Sequence, residues 1–168
     1  GNDKLNGGAG DDQLIGDAKT VYGAGGNDTL TGGDGDDSLY GDALGRLFGT
    51  GGNDTLSGGN GDDAIWGDAG GFDAGYGGKD PLNGDAGNDT LNGGTNVDTF
   101  DGGIGNDTLN GGDGRDVLNG GDGDDIINGG TGVDTINGGA GNDTINAGDG
   151  NEIIYGGTGV DTINGDAG

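Results

Sequence analysis

A nine-residue pattern of apolar and polar positions runs along almost the whole chain. The eighth residue of each unit is apolar, and the residues on either side of it are mostly Thr and Asn. This out-in-out alternation predicts one very short β-strand per unit, with a single side chain directed inward. The inward residues are Leu5, Leu14, Leu30, Leu39, Leu56, Ile65, Leu82, Leu91, Phe100, Leu109, Leu118, Ile127, Ile136, Ile145, Ile154 and Ile163.

Glycine dominates the first, second and fourth positions of the unit, which predicts a tight turn between successive strands. The first full unit is residues 7–15 (GGAGDDQLI), and ten units follow one another without a break over residues 75–164. Two units, or 18 residues, would close one coil. Coils stacked at about 4.8 Å predict an all-β fold, a parallel β-roll (solenoid) with two parallel sheets and a thin aliphatic seam between them.

The repeats predict a single β-roll domain over residues 1–168 with two unlike parts. Residues 75–168 are uninterrupted, whereas the part over residues 1–74 carries three inserts. The inserts are residues 16–22, 41–48 and 67–74. They come at every second unit, so we expect all three to emerge on the same edge of the roll.

The inserts bring aromatic residues next to units whose ninth residue is bulky. Two interpretations stay open: a small satellite core beneath the inserts, or a stacked aromatic strip that binds a glycan or protein partner. The residues of this candidate partner surface are Tyr40, Trp66, Tyr22, Phe48 and Phe72.

The charge of the chain is strongly one-sided. It has 31 Asp and Glu against 5 Lys and Arg, a net charge of −26, and only 29 of its 168 residues are Leu, Ile, Val or Phe. Such a composition is typical of chains that are disordered by themselves. The negative field repels phosphate, so we expect no nucleic-acid partner, and no run is apolar enough for membrane insertion. Polyvalent cations are the expected partners.

The residue types that are missing exclude several kinds of active site. There is no His and no Cys, which removes His-based zinc sites, Ser-His-Asp triads and thiol nucleophiles. We therefore predict that this segment is not an enzyme. The absence of Met predicts an excised or processed segment of a longer chain, and ends without a capping element suggest end-to-end stacking on neighbouring molecules or domains.

The sixth position of every unit is acidic. Only one of the 31 acidic residues is Glu, which indicates that the reach of the carboxylate matters. Carboxylates stacked at one edge repel each other unless a hard cation lies between them, and glycine-rich turns bring carbonyl oxygens to the same place. Flexible all-oxygen coordination favours calcium over zinc, copper or magnesium. The candidate ligands are Asp3, Asp12, Asp28, Asp37, Asp54, Asp63, Asp80, Asp89, Asp98, Asp107, Asp116, Asp125, Asp134, Asp143, Glu152 and Asp161.

Units such as GGAGDDQLI, GGDGDDSLY, GGNGDDAIW, GGDGDDIIN and GGAGNDTIN resemble the GGxGxDxUx nonapeptide of the RTX (repeats-in-toxin) family. The resemblance implies a right-handed parallel β-roll that is unfolded without calcium. From the net charge and the number of gaps between stacked loops we expect multiple calcium ions, roughly ten. The resemblance also implies type I secretion from a Gram-negative bacterium, and hence a secreted or cell-surface location. In that family each ion lies between loops two repeats apart, so Asp107 would share one ion with Asp89 and another with Asp125, and Asp98 would share one with Asp116.

Two units depart from the pattern. Residues 147–155 have Ala147 at the first position and Glu152 at the sixth, and the longer side chain of Glu is expected to displace its carboxylate. Asn96 stands where the fourth-position Gly is expected. Since Asn tolerates left-handed conformations, we expect that turn to survive.

The outward residues of one sheet form a regular series that supports an alternative function. These residues are Thr90 and Asn92, Thr108 and Asn110, Ile126 and Asn128, Thr144 and Asn146, and Thr162 and Asn164. Their spacing could order water as in an ice-binding surface, or form an adhesive face, with calcium as scaffold only. The same residues are also ordinary for strands and for the position before a Gly-Gly turn.

Overall fold

The computed structural model describes residues 1–17, 25–42, 51–68 and 77–166. These residues form sixteen short strands and no helix. The strands are β1 Lys4–Ala9, β2 Gln13–Ile15, β3 Thr29–Asp34, β4 Ser38–Tyr40, β5 Thr55–Asn60, β6 Ala64–Trp66, β7 Pro81–Ala86, β8 Thr90–Asn96, β9 Thr99–Ile104, β10 Thr108–Gly114, β11 Val117–Asp122, β12 Ile126–Gly132, β13 Thr135–Ala140, β14 Thr144–Gly150, β15 Ile153–Thr158 and β16 Thr162–Asn164. No helix in these residues is long and apolar enough to cross a membrane.

Alternate strands belong to different sheets, as the pattern predicts. The odd-numbered strands form one eight-stranded sheet in the order β1-β3-β5-β7-β9-β11-β13-β15, and the even-numbered strands form the other. We call these the odd sheet and the even sheet. All pairings are parallel. The prediction of a parallel β-roll is confirmed.

Equivalent positions of the repeat stand in register in successive coils. Thr108 pairs with Ile126, which lies 18 residues later. In the part with inserts, Lys4 pairs with Thr29 and Ser38 pairs with Ala64. The inserts therefore lengthen a coil in sequence without changing its place in the stack.

The core is the seam of eighth-position residues. Thirteen of them are buried, from Leu14 to Ile145, and Ala147 joins the same cluster. At the ends of the stack Leu5 and Ile154 are partly buried, whereas Ile163 is 49% exposed. Each coil contributes only two such side chains, so the apolar core is too thin to hold the fold by itself.

The glycines of the turns are required for two separate reasons. Gly130, at the second position, has φ 104°, and a Cβ on it would collide with the carbonyl oxygen of Gly112 on the preceding coil. Gly8 has the similar φ of 108° but nothing within 4 Å of its Cβ position. Asn96 adopts φ 84°, so the expectation that this residue would accept a left-handed turn is confirmed.

This pair of glycines offers a test of how much the close stacking contributes to stability. Both Gly130→Ala and Gly8→Ala place a side chain in the left-handed region, but only Gly130→Ala also overpacks the stack. We expect the former to lose about 1–3 kcal/mol more in the free energy of unfolding, measured by denaturant titration of the calcium-loaded chain. Equal losses would mean that backbone strain alone requires glycine here.

Candidate metal centre

The sixth-position residues lie at the two edges of the roll, just before each strand. On the first edge, where the chain passes from the even sheet to the odd sheet, they are Asp3, Asp28, Asp54, Asp80, Asp98, Asp116, Asp134 and Glu152. On the second edge they are Asp12, Asp37, Asp63, Asp89, Asp107, Asp125, Asp143 and Asp161. We call the aspartates of these two columns the aspartate ladders.

After the first coil, one carboxylate oxygen of each ladder aspartate is held by the preceding coil. The backbone N–H of Asp89 donates to Oδ1 of Asp107 at 2.8 Å, and the N–H of Asp107 donates to Oδ1 of Asp125 at 2.8 Å. The same bond recurs along both ladders at 2.7–3.1 Å. Every interior ladder residue is thus fixed by both of its neighbours.

The other carboxylate oxygen is buried and has no hydrogen-bond donor among the described residues. It is Oδ2 of Asp12, Asp28, Asp37, Asp54, Asp63, Asp80, Asp89, Asp98, Asp107, Asp116, Asp125, Asp134 and Asp143. The twelve from Asp28 to Asp143 are at most 2% exposed. Leaving a buried carboxylate oxygen unpaired costs several kcal/mol, so a whole column of them calls for a positive partner.

Main-chain oxygens lie close to these carboxylates. A Cβ on Gly84 would collide with both Asp89 Oδ2 and the carbonyl oxygen of Gly102, so the two oxygens face the same space. Gly120 has the same relation to Asp125 Oδ2 and the carbonyl oxygen of Gly138. The donor set is entirely oxygen, from carboxylates and carbonyls, and this fits a hard cation such as calcium.

The protein itself supplies almost no positive charge to this region. Among the described residues the only ion pair joins the amino group of Gly1 to Asp17 Oδ1 at 3.1 Å. No three acidic side chains in the same residues converge on one point. Backbone carbonyl oxygens of the turns are the other oxygen atoms near the ladder carboxylates.

The free-energy cost of burying the ladder carboxylates appears in their raised pKa values. Burial, together with the charges of nearby carboxylates, raises the pKa of Asp80 to about 9 and that of Asp54 to about 7. Asp89 and Asp125, on the second edge, also have pKa values raised to about 7, mainly by burial. Without a cation, these buried carboxyls therefore bind a proton more tightly in the folded chain than in the unfolded chain.

A known repeat family accounts for this arrangement. Its sequence model, described as the RTX calcium-binding nonapeptide repeat (4 copies), matches residues 1–18, 20–43, 46–71, 75–109, 101–136, 110–145, 128–163 and 146–168. The chain belongs to the RTX family. No curated protein matches the sequence. The RTX repeat is a structural calcium-binding repeat and not an enzyme family, and proteins that carry it are typically secreted.

The RTX unit with Glu152 interrupts the first-edge ladder. The hydrogen-bond series ends with the bond from Asp116 N–H to Asp134 Oδ1, and Glu152 Oε1 is buried without a partner. Glu152 Oε1 lies next to Gly150. The same unit has Ala147, whose methyl group occupies the first position, where the other units keep Gly beside the carboxylate. That the calcium site of this unit is altered stays a prediction.

A further column of polar residues, at the fifth position, was not predicted from the sequence. On the second edge, Oδ1 of Asp62 accepts the N–H of Asn88, and Oδ1 of Asn106 accepts the N–H of Asp124. On the first edge this column ends at Lys79, whose N–H donates to Asn53 Oδ1. The fifth position of the second edge is Asp or Asn in seven of its eight units, and that restriction was the available signal.

The aromatic residues of the candidate partner surface are only partly described. Tyr40 and Trp66 stack face to face, with ring centroids 4.7 Å apart and an angle of 5° between the planes. Both are half-buried. Tyr22, Phe48 and Phe72 lie outside the described residues. A role for this surface in binding a partner stays a prediction.

The raised pKa values predict that the cation-free RTX chain is more stable at acidic pH than at neutral pH. A carboxyl whose pKa rises from 3.8 to about 7 on folding, such as Asp54, binds its proton more tightly when folded. The fold is then stabilised below pH 3.8, and this stabilisation is lost as the pH rises through about 7. We expect chelating-resin-treated protein to show more β structure by circular dichroism at pH 4 than at pH 8.

General charge repulsion also weakens at low pH, so salt is the control for this pH experiment. About 0.5 M sodium chloride at pH 8 screens repulsion between exposed charges but leaves the buried carboxyls ionised. If salt reproduces the full gain in β structure, the buried ladder is not the cause.

Proposed function

We propose that this RTX segment binds calcium through its two aspartate ladders and folds as it binds, outside the cell. The observation that carries the proposal is the series of thirteen buried Oδ2 atoms without a donor, ten of which share their space with a backbone carbonyl oxygen of the turns. The residues that would hold calcium are the ladder aspartates and the carbonyl oxygens of the turn glycines. Calcium, when bound, would supply positive charge to ladder carboxylates that form no ion pair with the described residues.

The same residues account for an unfolded chain when calcium is scarce. The net charge is −26, and each coil has only two core side chains to oppose that repulsion. Folding also requires the ladder carboxylates to leave water without a donor for one of their oxygens. In the low calcium of a bacterial cytosol the chain would stay extended and suitable for export, and the binding free energy of calcium would become folding free energy outside.

The number of ladder steps sets an upper limit to the number of shared sites. Hydrogen-bonded steps number six on the first edge and seven on the second. One divalent ion per step would balance a net charge of −26. The affinity of each site should be that of extracellular calcium modules, roughly 10⁻⁴ to 10⁻³ M, with cooperativity along the stack.

Equilibrium dialysis with radioactive calcium tests this function directly. We expect about ten or more ions per chain at millimolar free calcium, bound cooperatively, with no displacement by an equal concentration of magnesium. Magnesium requires near-octahedral geometry at shorter distances, which turns built from glycine carbonyls do not provide. Binding of only one or two ions, or equal competition by magnesium, would contradict the proposal.

The alternative of an ice-binding or adhesive sheet face is favoured less by the structure. Asn110 and Asn128 use their side-chain amides in a chain of bonds along the even sheet, donating to Asn92 Oδ1 at 3.0 Å and to Asn110 Oδ1 at 2.9 Å. Ile126, 47% exposed, interrupts the Thr column of that sheet. On the odd sheet, Tyr155 is 61% exposed at an outward position.

A further inference from the structure

The junction between two repeat units often carries a chemically reactive pair of residues. At eight junctions the ninth residue is Asn and the residue after it is Gly. These asparagines are Asn6, Asn83, Asn92, Asn110, Asn119, Asn128, Asn137 and Asn164. Because Gly has no Cβ, its backbone nitrogen reaches the side chain of the preceding Asn readily in a flexible chain. We call these pairs the Asn-Gly junctions.

The reaction open to such a pair is loss of ammonia from the Asn side chain, and Asn is among the residues that degrade chemically in proteins. The Gly nitrogen attacks Cγ of Asn, the bond from Cγ to Nδ2 breaks, and the proton of the Gly nitrogen leaves with the ammonia. The product is a five-membered succinimide ring. Water then opens the ring at either of its carbonyls, which yields Asp or isoaspartate.

The stacked coils withhold the attacking nitrogen. Gly93 and Gly129, which follow Asn at two junctions of the even sheet, are buried. At the first position of an earlier coil the N–H of Gly67 donates to the carbonyl of Asn92 at 2.9 Å. The pairing of Asn92 with Asn110 gives Gly93 the same relation to the next coil. A nitrogen held in this way cannot turn toward its own neighbouring side chain.

The stacked coils also hold the group that would leave. Asn128 Nδ2 donates to Asn110 Oδ1 at 2.9 Å, and Asn128 Oδ1 accepts from Asn146 Nδ2 at 3.1 Å. On the odd sheet Asn137 Nδ2 donates to Asn119 Oδ1 at 2.8 Å. The side-chain amide of Asn128 is therefore bonded on both sides, and rotation toward the main chain would break both bonds.

We propose that the Asn-Gly junctions are sites of spontaneous deamidation, which the folded roll protects and the calcium-free chain exposes. The inference rests on the proposed function, since exposure requires that the coils separate when calcium is removed. Each conversion adds a negative charge to a chain that already carries −26. Isoaspartate also adds one carbon to the main chain next to a strand, which shifts the out-in alternation that the seam requires. A chain kept without calcium would thus lose its ability to fold.

Asn146 provides an internal control for the role of Gly. It stands in the same column as Asn128 and its side-chain amide makes the same bond, but the residue after it is Ala147. The Cβ of Ala147 restricts the approach of its nitrogen, so Asn146 should react several-fold more slowly than Asn128 in a disordered chain. The variant Ala147→Gly should remove this difference.

The test follows the unaltered chain and Ala147→Gly at mildly alkaline pH in millimolar calcium, in chelator, and in chelator with urea. Mass spectrometry of peptides measures conversion at each Asn, and circular dichroism reports whether the chain is folded. We expect Asn128 to convert roughly tenfold or more faster in chelator than in calcium, since conversion requires the coils to open. Calcium added afterwards should restore less β structure to the converted chain.

Equal conversion of Asn128 in calcium and in urea would overturn the inference, and so would equal rates for Asn128 and Asn146 in urea. Full recovery of β structure by converted chain would contradict the predicted damage. A chain that keeps its β spectrum in chelator would reject the proposed function instead. The urea sample then decides the inference separately, because fast conversion there, set against slow conversion in calcium, upholds protection by the fold.

Discussion

Removal of calcium is expected to convert the entire β-roll into a disordered chain. Each buried, unpaired carboxylate costs several kcal/mol, and twelve ladder aspartates are at most 2% exposed. That cost exceeds the roughly 5–15 kcal/mol by which a typical domain is stable. In chelator, the far-ultraviolet circular dichroism spectrum should be that of a disordered chain, and millimolar calcium should restore the β spectrum.

Two controls separate calcium coordination from simple charge screening. Magnesium at the same concentration should leave the chain disordered, and so should sodium chloride at matched ionic strength. A complete β spectrum in chelator at neutral pH would show that the fold does not depend on the ladders.

The second large effect is expected from Asp107→Ala. Asp107 is 1% exposed, its Oδ1 accepts the N–H of Asp89, and its own N–H donates to Asp125. Its carboxylate faces two neighbouring coils, so its loss should damage two calcium sites. We expect the calcium concentration at the folding midpoint to rise roughly tenfold or more, equivalent to about 1.4 kcal/mol or more.

Asp101→Ala is the control for Asp107→Ala, since it removes the same charge from an exposed position. Asp101 stands at the ninth position of its unit and only accepts a side-chain bond from Asn119, at 2.9 Å. Its midpoint should shift by less than about twofold. Calcium titrations followed by circular dichroism give both midpoints, and equal shifts would show that the sixth position is not the special one.

Most of this fold could be predicted from two positions of the nine-residue repeat. The eighth position predicts the seam because its residues are apolar in every unit, and the sixth position predicts the edges because its residues are always acidic. Even a departure could be predicted: Asn96 accepts φ 84° because its short polar side chain tolerates the left-handed region. Tyr40 and Trp66, which the sequence analysis assigned to one candidate partner surface, stack on each other.

Other features depend on contacts that sequence spacing does not determine. In the sequence, the first acidic residues of the three inserts are Asp17, Asp42 and Asp68. Only the hydrogen bonds that close the base of each insert show that these residues stack next to a ladder. The bond from each ladder N–H to the next carboxylate could not be predicted either, because it depends on the rotamer that the Asp side chain adopts between coils. Those contacts leave one oxygen of each ladder carboxylate hydrogen-bonded and the other oxygen without a donor.

The parallel register has a mechanical consequence. Strand pairing joins each coil only to the coil before it and the coil after it. The roll is therefore a one-dimensional lattice, in which a defect in one coil destabilises only the neighbouring coils. A force that pulls the chain lengthwise would therefore unzip coils singly from an end, and each coil would release its own ions as it opens. We expect the step at Glu152, where the hydrogen bond of the ladder is missing, to open at a lower force than the regular steps around Asp107 or Asp116.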